Sequence, residues 1–413
     1  MTMEYHEYNL DELGYLGRGK STHRPRNDPA LYGGEYPFVQ TGDVKAANFY
    51  VRSFEQSYNE FGLSQSKLWD EGTLAITIAA NIAETAVLDI KACFPDSVVG
   101  FIPNDKLVDV YFVKYYIDFI KREMQSISQG TTQDNLSLDK LRTFKFKVPK
   151  DRNVVTKIST TLLNYDNLIE NNNRRIAILE EMAQSLYREW FVNFRYPNHK
   201  DNVDAAGKPK LIESRLGKIP EGWHVKTAAD VIAINPQTKL PKEGEKPFVG
   251  MSGLSETSMV ISDIIEKSGN SGAKFINNDT LFARITPCLQ NGKTGFVQFL
   301  TPEKPVGFGS TEFIVLRESD YLSSEFIYLL SRSNDFREHA IQSMTGATGR
   351  QRVHNDCFAS YYLAVPPKVL MNDFTKLVKP MFKSIFNLSQ RNENLKKQRD
   401  MLLPKLISGT IKL

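Results

Sequence analysis

Cysteine is scarce and scattered. The 413 residues contain three, Cys93, Cys288 and Cys357, an odd number without a CxxC pair. This excludes a disulfide framework and a cysteine-based zinc site, and leaves the thiols as buried or neutral bystanders. Long apolar runs are missing too. No stretch of 18 uncharged apolar residues occurs, and the start, MTMEYHEYNLDEL, is polar and acidic where a basic leader with an apolar core would be needed. Both absences predict a cytoplasmic protein with no membrane partner. Charge of one sign is weak: the net formal charge is +4 and the pI near 8.7, short of the footprint that a strongly basic domain would show. Patterned catalytic residues are absent as well. Six histidines form no HExxH, no GxSxG occurs, and Pro366–Pro367 follow Val365, so there is no Asn-Pro-Pro-aromatic stretch. Neither a catalytic residue nor a metal ligand is assigned.

What remains is ordinary globular composition, 41% apolar and 24% charged, with length for two or three domains. Two segments stand out by rhythm. Ile158, Leu162, Tyr165, Ile169, Asn172, Ile176, Leu179, Ala183, Leu186 and Trp190 recur in alternating steps of four and three, a heptad seam. Phe374, Val378, Met381, Ile385, Leu388, Asn392, Leu395, Arg399, Leu402 and Leu406 repeat it, each 216 residues after its counterpart (158 to 374). Each seam holds one asparagine, one seam step apart when the two are aligned in parallel. A polar seam residue lowers stability and sets register. Two such helices most economically pair with each other.

The repetition extends beyond the helices. PFVQTGDV (37–44) resembles PFVGMSGL (247–254), and GTLAITIAANIAETAVL (72–88) resembles DTLFARITPCLQNGKTGFV (279–297). YFVKYYIDFIKREMQSISQGTT (111–132) resembles EFIYLLSRSNDFREHAIQSMTGAT (325–348), and FKFKVP (144–149) resembles YYLAVP (361–366). The order is the same throughout. The chain reads as a tandem duplication of one globular domain followed by one long helix. Within each domain, short strands are expected at 73–78 and at Phe144, Phe146 and Val148 up to Pro149, with one amphipathic helix near 109–126 and its equivalent near 324–342. The polar stretch NHKDNVDAAGKPK (198–210) is the boundary between halves. A helix of about 35 residues is about 50 Å long, and antiparallel pairing would relate the halves by a pseudo-twofold axis, the arrangement that reads two half-sites on DNA.

Two matched loops carry polar groups suited to base edges. The first, QSISQGTTQDNLS (125–137), offers Gln129, Thr131, Thr132, Gln133 and Asn135; the second, SMTGATGRQRVHND (343–356), offers Thr345, Thr348, Arg350, Gln351, Arg352 and His354. Amides suit adenine, arginine suits guanine, and threonine suits the thymine methyl or a phosphate. GRGKSTHRPR (17–26) packs Arg18, Lys20, His23, Arg24 and Arg26 together, as phosphate contacts would. Thr41 and Arg284, inside two of the repeated segments, complete the DNA-contact candidates. GYLGRGKS (14–21) fits GxxxxGK[ST], yet a P-loop needs a buried strand before it and a helix after it, and Pro25 and Pro29 stand where that helix would run.

LIENNNRRIAILEEMAQSLYREWFVNFRYP, SRLGKIPEGW, GEYPFVQTGDV and the terminal RDMLLPKLISGTI together resemble the specificity subunits of type I restriction-modification enzymes, over nearly the whole chain. The resemblance implies an α+β chain of two β-rich target-recognition domains separated by a pair of long antiparallel coiled-coil helices. The expected boundaries are 1–150 for the first recognition domain, 151–196 for the central helix, 197–370 for linker and second recognition domain, and 371–413 for the C-terminal helix. It implies a non-catalytic subunit that recognises a bipartite target in double-stranded DNA with a fixed spacer. Two methyltransferase subunits would bind the helices and restriction subunits would join them. S-adenosylmethionine, ATP and Mg²⁺ would belong to those partners, with no cofactor in this chain. Arg174, Arg175, Glu180, Glu181, Gln184, Tyr187 and Glu189, off the seam, are the expected contacts to partner subunits. The C-terminal seam departs from an apolar stripe at Arg399. The alternatives are a coiled-coil adaptor and a dimeric P-loop protein, neither of which reads DNA sequence.

Overall fold

The computed structural model describes residues 4–47, 49–128, 136–203, 210–347 and 349–411. They form two compact units, Met1–Glu170 with Asn392–Leu413, and Asn171–Arg391. Both long helices, α5 (Arg152–Tyr187, continued by a wider turn over Arg188–Val192) and α9 (Lys368–Ile407), are divided between the units.

The first unit opens on β1 (Tyr5–Asn9) and β2 (Gly14–Arg18), and continues through β3 (Tyr32–Phe38), α1 (Thr41–Ala46), β4 (Tyr50–Val51), β5 (Gln56–Tyr58), α2 (Glu60–Ser64), β6 (Leu68–Trp69), β7 (Leu74–Thr77), β8 (Thr85–Leu88), β9 (Ala92–Cys93) and β10 (Val98–Pro103). Helices α3 (Val110–Ser128) and α4 (Leu138–Thr143) and strand β11 (Lys145–Pro149) complete the domain. The strand expected at 73–78 is β7, all of whose residues are buried, and the alternating Phe146 and Val148 lie in β11. Sheet orders are β2-β10-β7-β8-β4 and β5-β3-β9-β6, and β1 pairs antiparallel with β11. A central core of Leu74, Ile76, Phe101, Phe112, Ile117 and Phe146 lies between the larger sheet and α3. It merges with Ile158 and Leu162 of α5 and Leu406 and Ile407 of α9.

The second unit adds a hairpin, β12 (Leu211–Ser214) and β13 (Gly217–Pro220), then runs β14 (His224–Thr227), α6 (Ala228–Val231), β15 (Ala233–Ile234), β16 (Lys246–Val249), β17 (Ile265–Lys267), β18 (Ala273–Ile276), β19 (Thr280–Ala283), β20 (Thr294–Phe296), β21 (Val306–Gly309) and β22 (Phe313–Arg317). Helices α7 (Ser324–Arg332) and α8 (Asn334–Gln342) precede β23 (Tyr362–Val365). Its sheets are β15-β22-β19-β20 and β17-β16-β21-β18, with β14 paired antiparallel to β23. Apart from β4 and the added hairpin, this is the first unit's topology strand for strand. Even the parallel pair recurs, Phe38 opposite Cys93 and Phe248 opposite Phe308, each inside an otherwise antiparallel sheet.

One element differs from expectation. The helix expected near 324–342 is two helices, because Ser333 sits at φ −68°, ψ 147° and starts a new helical run. The sequence Ser333-Asn334-Asp335 favours a helix start, and the break turns Phe336 and Ala340 inward after α7, which is buried up to its last residue, Arg332.

The seams behave as heptads. In the first unit, Asp166 of α5 bonds Arg399 of α9, while Ile158 and Leu162, earlier on α5, share a core with Leu406, later on α9; the strands of the pair therefore run antiparallel. In the second unit Trp190 and Phe191 pack on Phe374, at 5.6 and 4.7 Å between ring centres, and Ala183 shares a cavity wall with Phe382 and Ile385, again antiparallel. The asparagines Asn172 and Asn392 are both 4% exposed, which places them on the seam as the heptads require. Arg399 is accommodated by chemistry: its guanidinium meets the buried Asp166 carboxylate, which also accepts a hydrogen bond from Tyr115 of α3.

Candidate nucleic-acid interface

The second unit builds a stiff, outward-facing loop after α8. Thr345 and Arg352 exchange both backbone hydrogen bonds, at 3.0 and 2.9 Å, which pairs the two ends of the loop. Gly346 (φ +124°) and Gly349 (φ +79°) supply backbone that an L side chain rarely adopts. The base of the loop is anchored four ways. The Thr286 amide donates to the Gln351 carbonyl at 3.1 Å and the Gln351 amide returns a bond to Thr286 Oγ1 at 3.1 Å. The Arg352 guanidinium grips Glu312 with Nε and Nη2, at 2.9 and 2.7 Å. Arg284 Nε donates to the Val353 carbonyl at 3.0 Å, and Asn235 Nδ2 reaches Asn355 at 3.2 Å.

This geometry sorts the sequence candidates. Arg350, Thr345 and His354 are exposed on the loop and Gln351 is half-buried. Arg350 and His354 make no side-chain hydrogen bond or ion pair among the described residues. Arg352 and Arg284 are instead committed to holding the loop, because a bidentate carboxylate and a clamped carbonyl occupy their forks. Thr348 lies outside the described residues, as do Gln129, Thr131, Thr132, Gln133 and Asn135 of the first unit's matching loop.

The basic segment of the first unit lies at the surface but is largely occupied by neighbours. His23 Nε2 bonds Asp28 at 2.8 Å, Arg24 Nη1 donates to the carbonyls of Ser21 and His23, and Arg26 Nη2 pairs with Asp96 at 2.5 Å. A bond from Ala30 first, and His23 second, holds the Asp28 carboxyl below its ordinary pKa. Arg18 and Lys20 stay exposed and without such partners among the described residues. Thr41 is half-buried at the first position of α1. The P-loop pattern fails on structure as on sequence. Its first five residues are β2 itself, an edge strand, and the Gly19 amide continues the ladder onto the Val98 carbonyl at 2.8 Å. The backbone amides of a P-loop cradle are therefore not assembled there.

The expected partner face also divides. Glu180 is drawn into the second unit, where Oε1 accepts from Ser258 Oγ at 2.8 Å and the Met259 amide at 2.6 Å; burial raises its pKa against those two bonds and the charge of Arg332. Tyr187 is 5% exposed and packs on Phe326, so it is a core residue and not an outward contact: it lies one turn after the fully buried Ala183 and shares its side of the helix. Gln184 donates to the Leu329 carbonyl at 3.2 Å, and Glu189 pairs with Arg195 at 2.9 Å. Arg174, Arg175 and Glu181 are exposed. Sequence reading passed over an apolar stripe on the same helix, Ile178, Met182 and Val192, which are 50%, 48% and 50% exposed. The signal was present: these apolar residues fall off the first seam at their own heptad-compatible spacing.

Among the described residues no group of acidic, histidine and cysteine side chains could hold a metal ion, and no helix is long and apolar enough to cross a membrane. Two β-rich units of matching topology, the second presenting an anchored polar loop and each containing parts of two long helices with a buried seam, define a class of duplicated α+β modules.

Comparison with known proteins agrees. The type I restriction modification DNA specificity domain matches residues 3–181. The chain is 26% identical over 401 residues to the MjaIX type I restriction enzyme specificity subunit of Methanocaldococcus jannaschii, covering 92% of this chain and 88% of that protein. It is 31% identical over 171 residues to the EcoEI specificity subunit of Escherichia coli, 39% of this chain and 28% of that one. The crystal structure of the type I restriction-modification S subunit from M. genitalium shares the fold, with a TM-score of 0.57 at 15% identity over 98% of this chain and 96% of that one. The chain is thus similar to the type I restriction-modification specificity subunits, over residues 3–181 by the family description and over 92% of its length by the Methanocaldococcus jannaschii relative.

Proposed function

We propose that this chain is the DNA-reading, non-catalytic subunit of a type I restriction-modification enzyme, each β-rich unit taking one half of a split duplex target. The observation that carries this reading is the strand-for-strand duplication of topology combined with different polar content in the loops: one frame used twice, with different side chains, is what two unlike half-sites require. In the second unit Arg350 and Gln351 read base edges, while Arg352, Glu312 and Arg284 hold the loop that presents them. Two methyltransferase subunits dock on the helices, for which the exposed stripe of Ile178, Met182 and Val192 is the apolar contact, and restriction subunits complete the assembly. S-adenosylmethionine, ATP and Mg²⁺ belong to those partners.

The test is to express the chain with a cognate methyltransferase subunit in bacteria and map adenine methylation by single-molecule sequencing. Two short half-sites with a fixed gap, methylated only when this chain is present, are the expected result. Methylation that never depends on the chain would refute the reading and favour a helical adaptor that does not read DNA.

A further inference from the structure

Strand register equates positions in the two units that share no residue identity. Leu16 and Leu74 both oppose Phe101, and Ile234 and Thr280 both oppose Leu316; Leu16 and Ile234 are therefore equivalent, and Gly17–Lys20 and Asn235–Thr238 leave their sheets at the same topological place. On the companion sheets, Leu68 opposes Cys93 as Lys274 opposes Phe308, which equates Leu68 with Lys274 and places Lys67, one residue earlier, at the position of Ala273.

In the second unit these segments bound an open basin of about 490 Å³. Its polar lining is Asn235, Gln237, Thr238, Lys274, Arg284 and Thr311, with two cations and no carboxylate. Lys274 has no ion-pair partner among the described residues. In the first unit the same place gathers Arg18, Lys20 and Lys67. The Lys67 ammonium lies 3.7 Å from the Trp69 ring centre and 4.4 Å from that of Tyr15, and donates to the Tyr15 hydroxyl at 3.1 Å. The aromatic platform is built for this: a Cβ at Gly100 would stand 2.5 Å from the Trp69 ring, and one at Gly17 would stand 2.7 Å from the Tyr15 hydroxyl oxygen. Cation–π contact holds the ammonium in place but leaves its charge uncompensated. A half-buried, ordered cation with no carboxylate partner among the described residues suits an anion.

We propose that this surface, formed at corresponding strand ends of the two units, seats the phosphodiester backbone of duplex DNA, with Lys67, Arg18 and Lys20 as phosphate contacts in the first unit and Lys274, one register position along from Lys67, in the second. The assignment rests on the DNA-reading role above and adds the face that does the positioning. In the second unit the surface is continuous with the base-reading loop, since Arg284 lines the basin and clamps Val353, and Asn235 bonds Asn355. Phosphate contacts fix register and orientation, and the loop tip then meets the bases.

The experiment measures binding of the full chain to a cognate and to a random duplex by fluorescence anisotropy across a salt titration. Lys67→Gln and Lys274→Gln should each weaken both duplexes by the same factor and reduce the salt slope by roughly one, the value for one lost phosphate contact. Lys67→Arg, which keeps the cation on the rings, should retain the slope and separate a charge effect from a folding defect. Lys304→Gln, an exposed lysine paired with Glu266, should leave the slope unchanged. Wild-type slopes in both glutamine variants would overturn the proposal, as would a loss confined to the cognate duplex, which would make these lysines base contacts. A wild-type chain that binds neither duplex would instead overturn the DNA-reading role itself.

Discussion

Arg399 interrupts an apolar seam, and the cost of removing it follows from what it neutralises. The Asp166 carboxylate is 7% exposed at its side chain, with Arg399 and the Tyr115 hydroxyl as its partners. Burial first, and the negative charge of Asp166 second, hold the Tyr115 hydroxyl well above the ordinary tyrosine range, so it remains a donor at every accessible pH. Arg399→Met preserves the stem's packing but strands a buried anion. Breaking such a pair from one side costs about 3–5 kcal/mol, and the 25% exposure of the arginine side chain sets the expectation at the lower end, about 3 kcal/mol. At about 2–4 °C per kcal/mol for a unit of this size, the transition of the first unit should fall by about 6–12 °C. Differential scanning calorimetry of the full chain reads this directly. The double variant Asp166→Leu/Arg399→Met, which removes both charges, should recover most of the loss. A single-variant cost below about 1 kcal/mol would show that water reaches the pair and that the seam does not depend on it.

Arg350→Ala should relax base preference at one half-site by about 1–3 kcal/mol and leave the other untouched, read by sequencing the methylated sites; uniform weakening on every sequence would refute base contact. Gly100→Ala places a methyl group against the rigid, buried Trp69 ring and should destabilise the first unit by about 1–3 kcal/mol in urea titration, an unchanged midpoint counting against that packing. Glu180→Gln tests the sign of a buried carboxyl. Its pKa is raised in the folded chain, chiefly by burial, so folding favours the protonated form and stability falls as pH rises from the ordinary value of 4.5 towards the folded value. The glutamine keeps the acceptor for Met259 and Ser258; it should therefore match the parent below pH 4.5 and exceed it above, and a less stable variant at neutral pH would refute the reasoning.

The heptad seams were legible residue by residue, because a buried stripe on a long helix leaves a periodic trace that needs no knowledge of the partner. Nearly every apolar seam position is buried or half-buried. The strand at 74–77, the closing strand at 145–149 and the helix at 110–128 were legible for the same reason. The break at Ser333 was not, because an amphipathic pattern continues across it and outweighs the weak helix-start signal of Ser333-Asn334-Asp335 until Phe336 is seen packed against Phe282. Among candidate contacts, residue type alone could not separate Arg350 from Arg352. The two differ by Glu312, 40 residues earlier in the chain and 2.7 Å away in space. Lys67 carries no motif, and its platform exists only because Gly100, Trp69 and Tyr15 come from three different strands.

By itself the sequence determined that the chain is one unit written twice, that each unit ends in a long helix with a seam, and which family it resembles; these are properties of order and period along one dimension. Only the tertiary structure decided which cations are spent inside the protein and which remain available. A charge is neutralised by whatever carboxylate or carbonyl the fold brings within about 3 Å, and that distance is not written in chain order.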